Sequence, residues 1–282
     1  MRSRRRPAIS RSSRVGLIMT LAVVTAALLA PQLSPHTPDD QDLGRALLPP
    51  FWMAGADPAY PLGTDYLGRD LLSRLIYAGR TSLLVGITAV IVAGLAGITL
   101  GLVAGFLGGG VDAAIMRLVD MQLAFPPIVL AIAILTTAGT GLATIVAVLG
   151  AIGWVQYARV ARGQTLSLRE REFVLAARML GAGAPRILWR HILPNALGPI
   201  LTIAALNVSS MILAEASLSF LGVGVRPPTP AWGSMLSEGR DVFRIAWWNA
   251  VFPGVAIAWT VFGINLLGEA WHTAGAGWGR ST

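Results

Sequence analysis

Cysteine is absent from the 282-residue chain, which excludes disulfides, thiol nucleophiles and thiolate metal sites. Lysine is absent too, so all 22 basic residues are arginine. That removes the lysine of a phosphate-binding P-loop, and with it a self-contained Walker-type ATPase. It also removes Schiff-base chemistry, which needs a lysine amine. Charge of either sign is scarce, at 13% of residues, against about 25% in a soluble domain. Histidine occurs only as His36, His191 and His272, in separate segments, which makes a poor metal set. No G-x-S-x-G, H-E-x-x-H or nucleotide fingerprint is present. The chain is therefore not expected to be an enzyme, and no cofactor or metal is expected to be bound by it.

What fills the chain instead is apolar. Hydrophobic residues make up 54% and the mean hydropathy is +0.64. The expected fold is an all-α polytopic membrane protein with six transmembrane helices. After a basic tail at 1–14, the run Val15 to Ala30 is slightly short for a span of ~20 residues. Flanking arginines can extend it by snorkelling. We read 15–33 as a retained first span, with a cleaved signal peptide as the competing reading. Residues 34–82 are polar and rich in Pro, Asp and Gly. They end in an amphipathic helix from Leu71 suited to the membrane interface. A core at 83–270 supplies five further spans, at about 83–107, 127–138, 142–157, 200–221 and 248–267. Residues 271–282 form a short tail.

Gly97, Gly101, Gly105 and Gly109 recur every fourth position in the second span, which bares one helix face for close packing. Asp112, Arg117 and Asp120 mark a polar link before Pro126-Pro127 opens the third span. Asn207 and Glu215 fall at membrane depth in the fifth. A carboxylate there costs ~2.5–3.5 kcal/mol on insertion scales, which makes it a functional candidate. Glu215 has no basic partner on its own helix, and both a structural hydrogen bond and a role in translocation stay open.

The longest polar interval of the second half, 164–199, reads as two short helices. The first covers roughly 170–180, with Phe173, Val174, Ala177 and Leu180 on one face and Arg171, Glu172 and Arg178 on the other. Gly181 and Gly183 stop it, Pro185 opens the second helix, and Pro194 is expected to end that one. On pattern alone this is either a docking knob for a soluble partner or an interfacial loop.

The residue order within it resembles a known family. Ala176-Ala177, then Gly181, then Leu193-Pro194 is similar to the cytoplasmic EAA loop of ABC-importer permeases. Glu172-Phe173-Val174 and His191-Ile192-Leu193-Pro194-Asn195 resemble the dipeptide/oligopeptide branch. So do Gly63-Thr64-Asp65 with Gly68-Arg69-Asp70, Asp120 to Pro126, and Ala214 to Leu236. Leu175 stands where the Glu that names the motif would fall, and Glu172 is the nearest carboxylate.

The resemblance implies a type I ABC-importer permease fold with cytoplasmic coupling helices. It implies a second homologous permease, two ABC ATPase subunits that bind ATP and Mg, and an extracytoplasmic substrate-binding protein, with no nucleic-acid partner. Docking on the ATPase would involve Glu172, Ala176, Ala177, Gly181, Arg186, His191 and Pro194. Thr64, Asp65, Arg69 and Asp70 are the candidates for contact with the binding protein. The expected cargo is a di- or oligopeptide, with nickel and glutathione as alternatives in the same machinery. A self-sufficient secondary transporter is a more distant alternative, since such proteins carry several mid-membrane charges.

Arginine placement orients the chain. Six spans with both termini in the cytoplasm of an inner-membrane protein put fifteen of the arginines inside and seven outside. That agrees with the positive-inside rule, places the 164–199 loop in the cytoplasm, and accounts for the net charge of +8.

Overall fold

The computed structural model describes the backbone over residues 11–276 and side chains over 11–269. The basic tail before residue 11 and the end of the C-terminal tail lie outside the described residues. Arg11–Leu28 forms α1, so the last four residues of the expected tail are already helical. A one-turn helix, α2 (Ala30–Leu33), closes the first span, with Pro31 in its first turn where the missing N–H costs nothing.

The next helix, α3, runs unbroken from Leu71 to Leu107. The sequence divides this stretch into an interfacial helix and a span; the structure joins them. No Pro interrupts the 37 residues, and Asp70 caps the start by accepting from Ser73 N at 2.9 Å. Thirty-seven residues at 1.5 Å each reach about 55 Å, well beyond a hydrocarbon core of about 30 Å. The first turns of α3 therefore stand outside the apolar layer and carry Arg74 and Arg80.

The expected polar link is also helical, as α4 (Gly109–Leu123). It is followed by α5 (Pro127–Ala138), and the two meet at 88°. Pro126 and Pro127 cause the break. Neither has an N–H to continue the helical ladder, and each proline drives the residue before it to extended backbone. Pro126 accordingly sits at φ −59°, ψ 126°. Counting this broken pair as one span gives six crossings.

α6 (Leu142–Leu168) lies along α3 in the most extensive helix contact among the described residues. The glycine stripe explains it. A Cβ on Gly97 would meet Trp154 O at 2.2 Å, one on Gly101 would meet Ala158 O at 2.3 Å, and one on Gly105 would meet Thr165 Cβ at 2.7 Å. Gly109, the fourth of the series, starts α4 instead and faces no neighbour.

After α6 come α7 (Glu172–Met179) and α8 (Ala184–Ile187). A five-residue π turn, Leu188–Ile192, then feeds α9 (Leu193–Phe220) without a stop. The expectation that Pro194 ends the second short helix is corrected. Pro194 lies in the first turn of α9, where its ring fits, and helical geometry continues from Ala184 to Phe220. The wider π turn absorbs the proline's lost hydrogen bond. α10 (Trp232–Asp241) caps the outer end, and α11 (Trp248–Ala276) returns to pack on α1 and α9. Gly16 and Gly263 let α1 and α11 approach, as a Cβ on Gly16 would meet Leu266 Cβ at 2.7 Å.

The main core joins α3, α5, α6 and α9 through Val85, Leu135, Ile145, Leu149, Ile200 and Leu218. Much of the remaining surface of the spans is apolar and exposed, including Ile91, Leu95, Val255 and Phe262. Such a surface suits lipid, not water.

Candidate functional site

Three polar regions stand out along the molecule. The first is the 164–199 loop. Val174 and Ala177 of α7, with Ile187 and Ile192, pack onto Leu102 and Phe106 at the inner end of α3. Arg169 reaches back to donate from Nη1 to Gly105 O at 2.8 Å, which satisfies one of the free carbonyls at the end of α3. Arg178 lies over the Phe106 ring, 5.0 Å from its centroid.

The exit from α7 is a Schellman turn. Gly181 has φ +81° and donates to Arg178 O at 2.9 Å, while Ala182 N donates to Ala177 O at 3.0 Å. This turn decides what is exposed. Leu180 was expected on the buried face, but as the C-cap residue it projects outward and is 88% exposed; Met179 is 89% exposed. Phe173, also expected inside, is largely exposed. Leu175 and Trp189 are exposed as well, so the loop presents several apolar side chains on its surface, Leu180 and Met179 the most exposed; these are called its apolar tip below. Glu172, Ala176, Gly181, Arg186 and Pro194 are on the surface and His191 is half-buried. Ala177 is buried beneath them and holds the tip in place. Met179, Leu180 and Trp189 are the residues that motif-based reasoning passed over. The available signal was an α7 with more apolar residues than one narrow face can bury.

The second region lies at the opposite end of the bundle, around the start of α3 and α10. Thr64, Asp65, Arg69 and Asp70 are each at most 4% exposed. Thr64 Oγ1 accepts from Leu48 N at 2.8 Å, and Thr64 O accepts from Asn249 Nδ2 at 3.3 Å. Arg69 donates from Nε to Asp65 at 2.6 Å and from Nη2 to Glu238 of α10 at 2.8 Å. Arg74 joins the same two carboxylates, at 3.3 Å and 3.1 Å. Burial pushes Glu238 above the ordinary carboxylate range, although both arginines pull it down. These groups fold the outer layer and clamp it to α10. In this state they offer no side-chain surface to a partner. The exposed groups nearby are Phe51, Trp52, Phe243 and Ile245.

The third region is inside the bundle. Glu215 is fully buried and accepts from Ser82 Oγ at 3.0 Å and Ser219 Oγ at 2.6 Å. A cavity of about 590 Å³ opens between α5, α6 and α9. Its wall is mostly apolar, with Ala131, Leu149 and Met211. The polar groups along it are Gln156, Arg159, Asn207 and Ser210. Asn207 is 6% exposed, and its Nδ2 has no hydrogen-bond partner among the described residues. Glu215 is not part of this wall. Toward the 164–199 loop, Arg162 of α6 grips Asp112 of α4 with two bonds at 2.5 Å and 2.7 Å. Gln122 of α4 pairs with Trp154 Nε1 at 2.8 Å. The broken span is thus fastened to α6 beside the cavity. Among the described residues no cluster of His, Asp and Glu could hold a metal ion.

A helical bundle with a broken span, a half-open cavity and a folded loop at one end fits a transport subunit. Residues 97–274 match the family described as the binding-protein-dependent transport system inner membrane component. The chain belongs to that family. Residues 9–50 match the N-terminal transmembrane domain of oligopeptide transport permease C. The di/tripeptide transport system permease protein of Pseudomonas aeruginosa is 42% identical over 92% of this chain and 86% of its own length. The dipeptide transport system permease protein of Escherichia coli K12 is 41% identical over 92% of this chain and 87% of its own. That of Haemophilus influenzae is 38% identical over 94% and 90%. A chain from inward-facing structures of the MetNI methionine ABC transporter aligns with a TM-score of 0.57 at 17% identity. It covers 71% of this chain and 96% of its own. At that identity the likeness shows the fold. The protein is thus a multi-pass membrane component of a transport system, with an ABC-importer permease fold.

Proposed function

We propose that this chain is the permease subunit of an ABC importer for di- or oligopeptides, and that it forms half of the passage. The carrying observation is mechanical. Leu180 ends α7, and after the turn at Gly181 the helical segment Ala184–Phe220 carries Trp189 and continues into α9. α9 carries Asn207, Ser210 and Met211 of the cavity wall. α7 packs on the start of this segment through Val174, Ala177, Ile187 and Ile192, so a push on α7 passes by that contact into the helix that lines the cavity. In this reading the tip docks on ABC ATPase subunits, which bind ATP and Mg and hydrolyse ATP; this chain hydrolyses nothing. A second permease of the same family closes the cavity from its open side.

An extracytoplasmic binding protein delivers the cargo to the outer layer that Asp65, Arg69, Arg74 and Glu238 hold in shape. Both termini face the cytoplasm, as the arginine distribution favours. The permease names of the three relatives support the peptide cargo.

Reconstitution tests the proposal. Liposomes holding this permease, its partner permease and the ATPases should take up a dipeptide only with ATP inside the ATPase compartment and binding protein on the opposite face. Flux through this chain alone, driven by a proton or sodium gradient, would overturn it.

A further inference from the structure

The cavity wall carries a cation and no anion. Arg159 lines it, is exposed, and makes no ion pair or hydrogen bond among the described residues. No Asp, Glu or His is part of the wall. Other arginines near this end of α6 are engaged, Arg162 by Asp112 and Arg169 by Glu170 and Gly105 O. Arg159 lies just past the expected fourth span, and an arginine there that lines a cavity without a partner among the described residues is placed to meet a solute. Beside it stand further groups able to donate hydrogen bonds, Gln156 three residues before it on the same face of α6, and Asn207 and Ser210 on α9. Asn207 Nδ2 itself is buried on the side of Tyr157 Oη, another buried polar atom, and Gln156 and Ser210 are the exposed donors.

We infer that Arg159 receives the carboxylate of the passing solute, with Gln156 and Ser210 donating beside it. A guanidinium is the side chain best suited to a carboxylate, through two parallel N–H···O bonds. The apolar remainder of the wall, Ala131, Leu149 and Met211 among it, accommodates side chains of varied shape without selecting among them. The same wall disfavours a free divalent cation, because it offers a positive charge and no carboxylate or imidazole ligand. The site thus takes carboxylate-bearing solutes such as peptides and not bare metal ions. This deepens the peptide-permease reading and rests on it.

The absence of cysteine makes the test direct. R159C is placed in the full complex, with permease partner, ATPases and binding protein, in liposomes. It is expected to lower dipeptide uptake at least tenfold, while ATP hydrolysis stays within twofold of wild type. An aminoethyl methanethiosulfonate, which restores a positive tail, should recover a third or more of the uptake. The sulfonatoethyl reagent of similar size, which adds a negative tail, should recover none. Wild-type complex treated with both reagents corrects for cysteines in the other subunits.

Uptake by R159C at the wild-type level, or equal recovery with both reagents, would overturn the inference. If R159C does not assemble, Q156C is labelled with Arg159 in place. The sulfonate tail should then occupy Arg159 and block uptake well beyond the ammonium tail, and equal effects would overturn the inference. Failure of the wild-type complex to move any peptide is a separate result, and strikes the peptide reading itself.

Discussion

Ser82 and Glu215 meet across 133 positions of chain, with the serine Oγ donating to the carboxylate at 3.0 Å. Ser219 Oγ donates to the other oxygen at 2.6 Å. Each hydroxyl also accepts a backbone N–H, from Trp232 at 3.4 Å and from Val225 at 3.2 Å. The carboxylate is the meeting point of α3, α9 and the segment leading to α10. Glu215→Leu leaves two buried hydroxyls without an acceptor, at a cost of about 1–3 kcal/mol each. Glu215→Gln keeps an oxygen acceptor and should melt within a few degrees of wild type in detergent, with transport retained. Loss of transport in Glu215→Gln at an unchanged melting temperature would show that the carboxylate serves translocation and not structure.

The outer cluster is balanced, with Asp65 and Glu238 against Arg69 and Arg74. Removing one member leaves an uncompensated buried charge, which costs about 3–5 kcal/mol. Glu238→Leu should therefore lower stability strongly. The double variant Arg74→Met/Glu238→Leu restores balance between Asp65 and Arg69 and should recover much of that loss. A double-mutant cycle on thermal unfolding of the purified complex checks this. Additive losses would mean the four charges do not act as one unit.

Most of the fold follows from patterns visible in the residues. Apolar runs mark the long helices, and the four-residue glycine spacing marks the face of α3 that α6 packs on; Pro126-Pro127 marks the start of α5, but not that α4 and α5 together make one bent crossing. What local pattern misses is continuity and termination. Leu71 to Leu107 contains both an amphipathic start and a wholly apolar remainder, so it reads as two elements although nothing breaks the helix. Pro194 reads as a stop, yet a neighbouring π turn accommodates it. The 164–199 loop is legible as a motif, but which of its side chains are exposed is not. A helical face places Leu180 inside, whereas the turn at Gly181 releases it. Asp65, Arg69 and Asp70 look like a charged surface because Glu238, which closes the Asp65–Arg69–Arg74 cluster, is remote in sequence, and because Asp70 is buried as the helix cap that accepts from Ser73. The cavity arises from three helices remote in sequence, so spacing could not reveal it.

The glycine stripe is open to a controlled test. At Gly101 a methyl group would meet Ala158 O at 2.3 Å, a backbone atom that cannot swing away. Gly163 lies in the interior of α6 with nothing within 4 Å. Gly101→Ala should cost about 1–3 kcal/mol through overpacking. Gly163→Ala should be neutral or stabilise by about 0.5–1 kcal/mol, because alanine is the better helix former. Thermal unfolding of both variants decides it, and equal effects would argue against α3–α6 contact through this face.

The apolar tip separates docking from folding. Leu180 is 88% exposed and Ala177 is 8% exposed one turn earlier. Leu180→Asp places a charge on the surface and should change stability by no more than about 0.5 kcal/mol. It should nonetheless release the ATPase, so the subunit no longer co-purifies and uptake fails while the chain remains inserted. Ala177→Asp buries a carboxylate against Leu102, Val174 and Ile187, so it should lose both the loop's fold and docking. Gly181→Ala forces a side chain onto φ +81°, at a cost of about 1–2 kcal/mol. It leaves the tip's chemistry intact, so docking should weaken but survive. Co-purification of the ATPase with each variant, measured beside its melting temperature, distinguishes the three. A Leu180→Asp permease that holds its ATPase and transports at the wild-type rate would move the docking surface away from this tip.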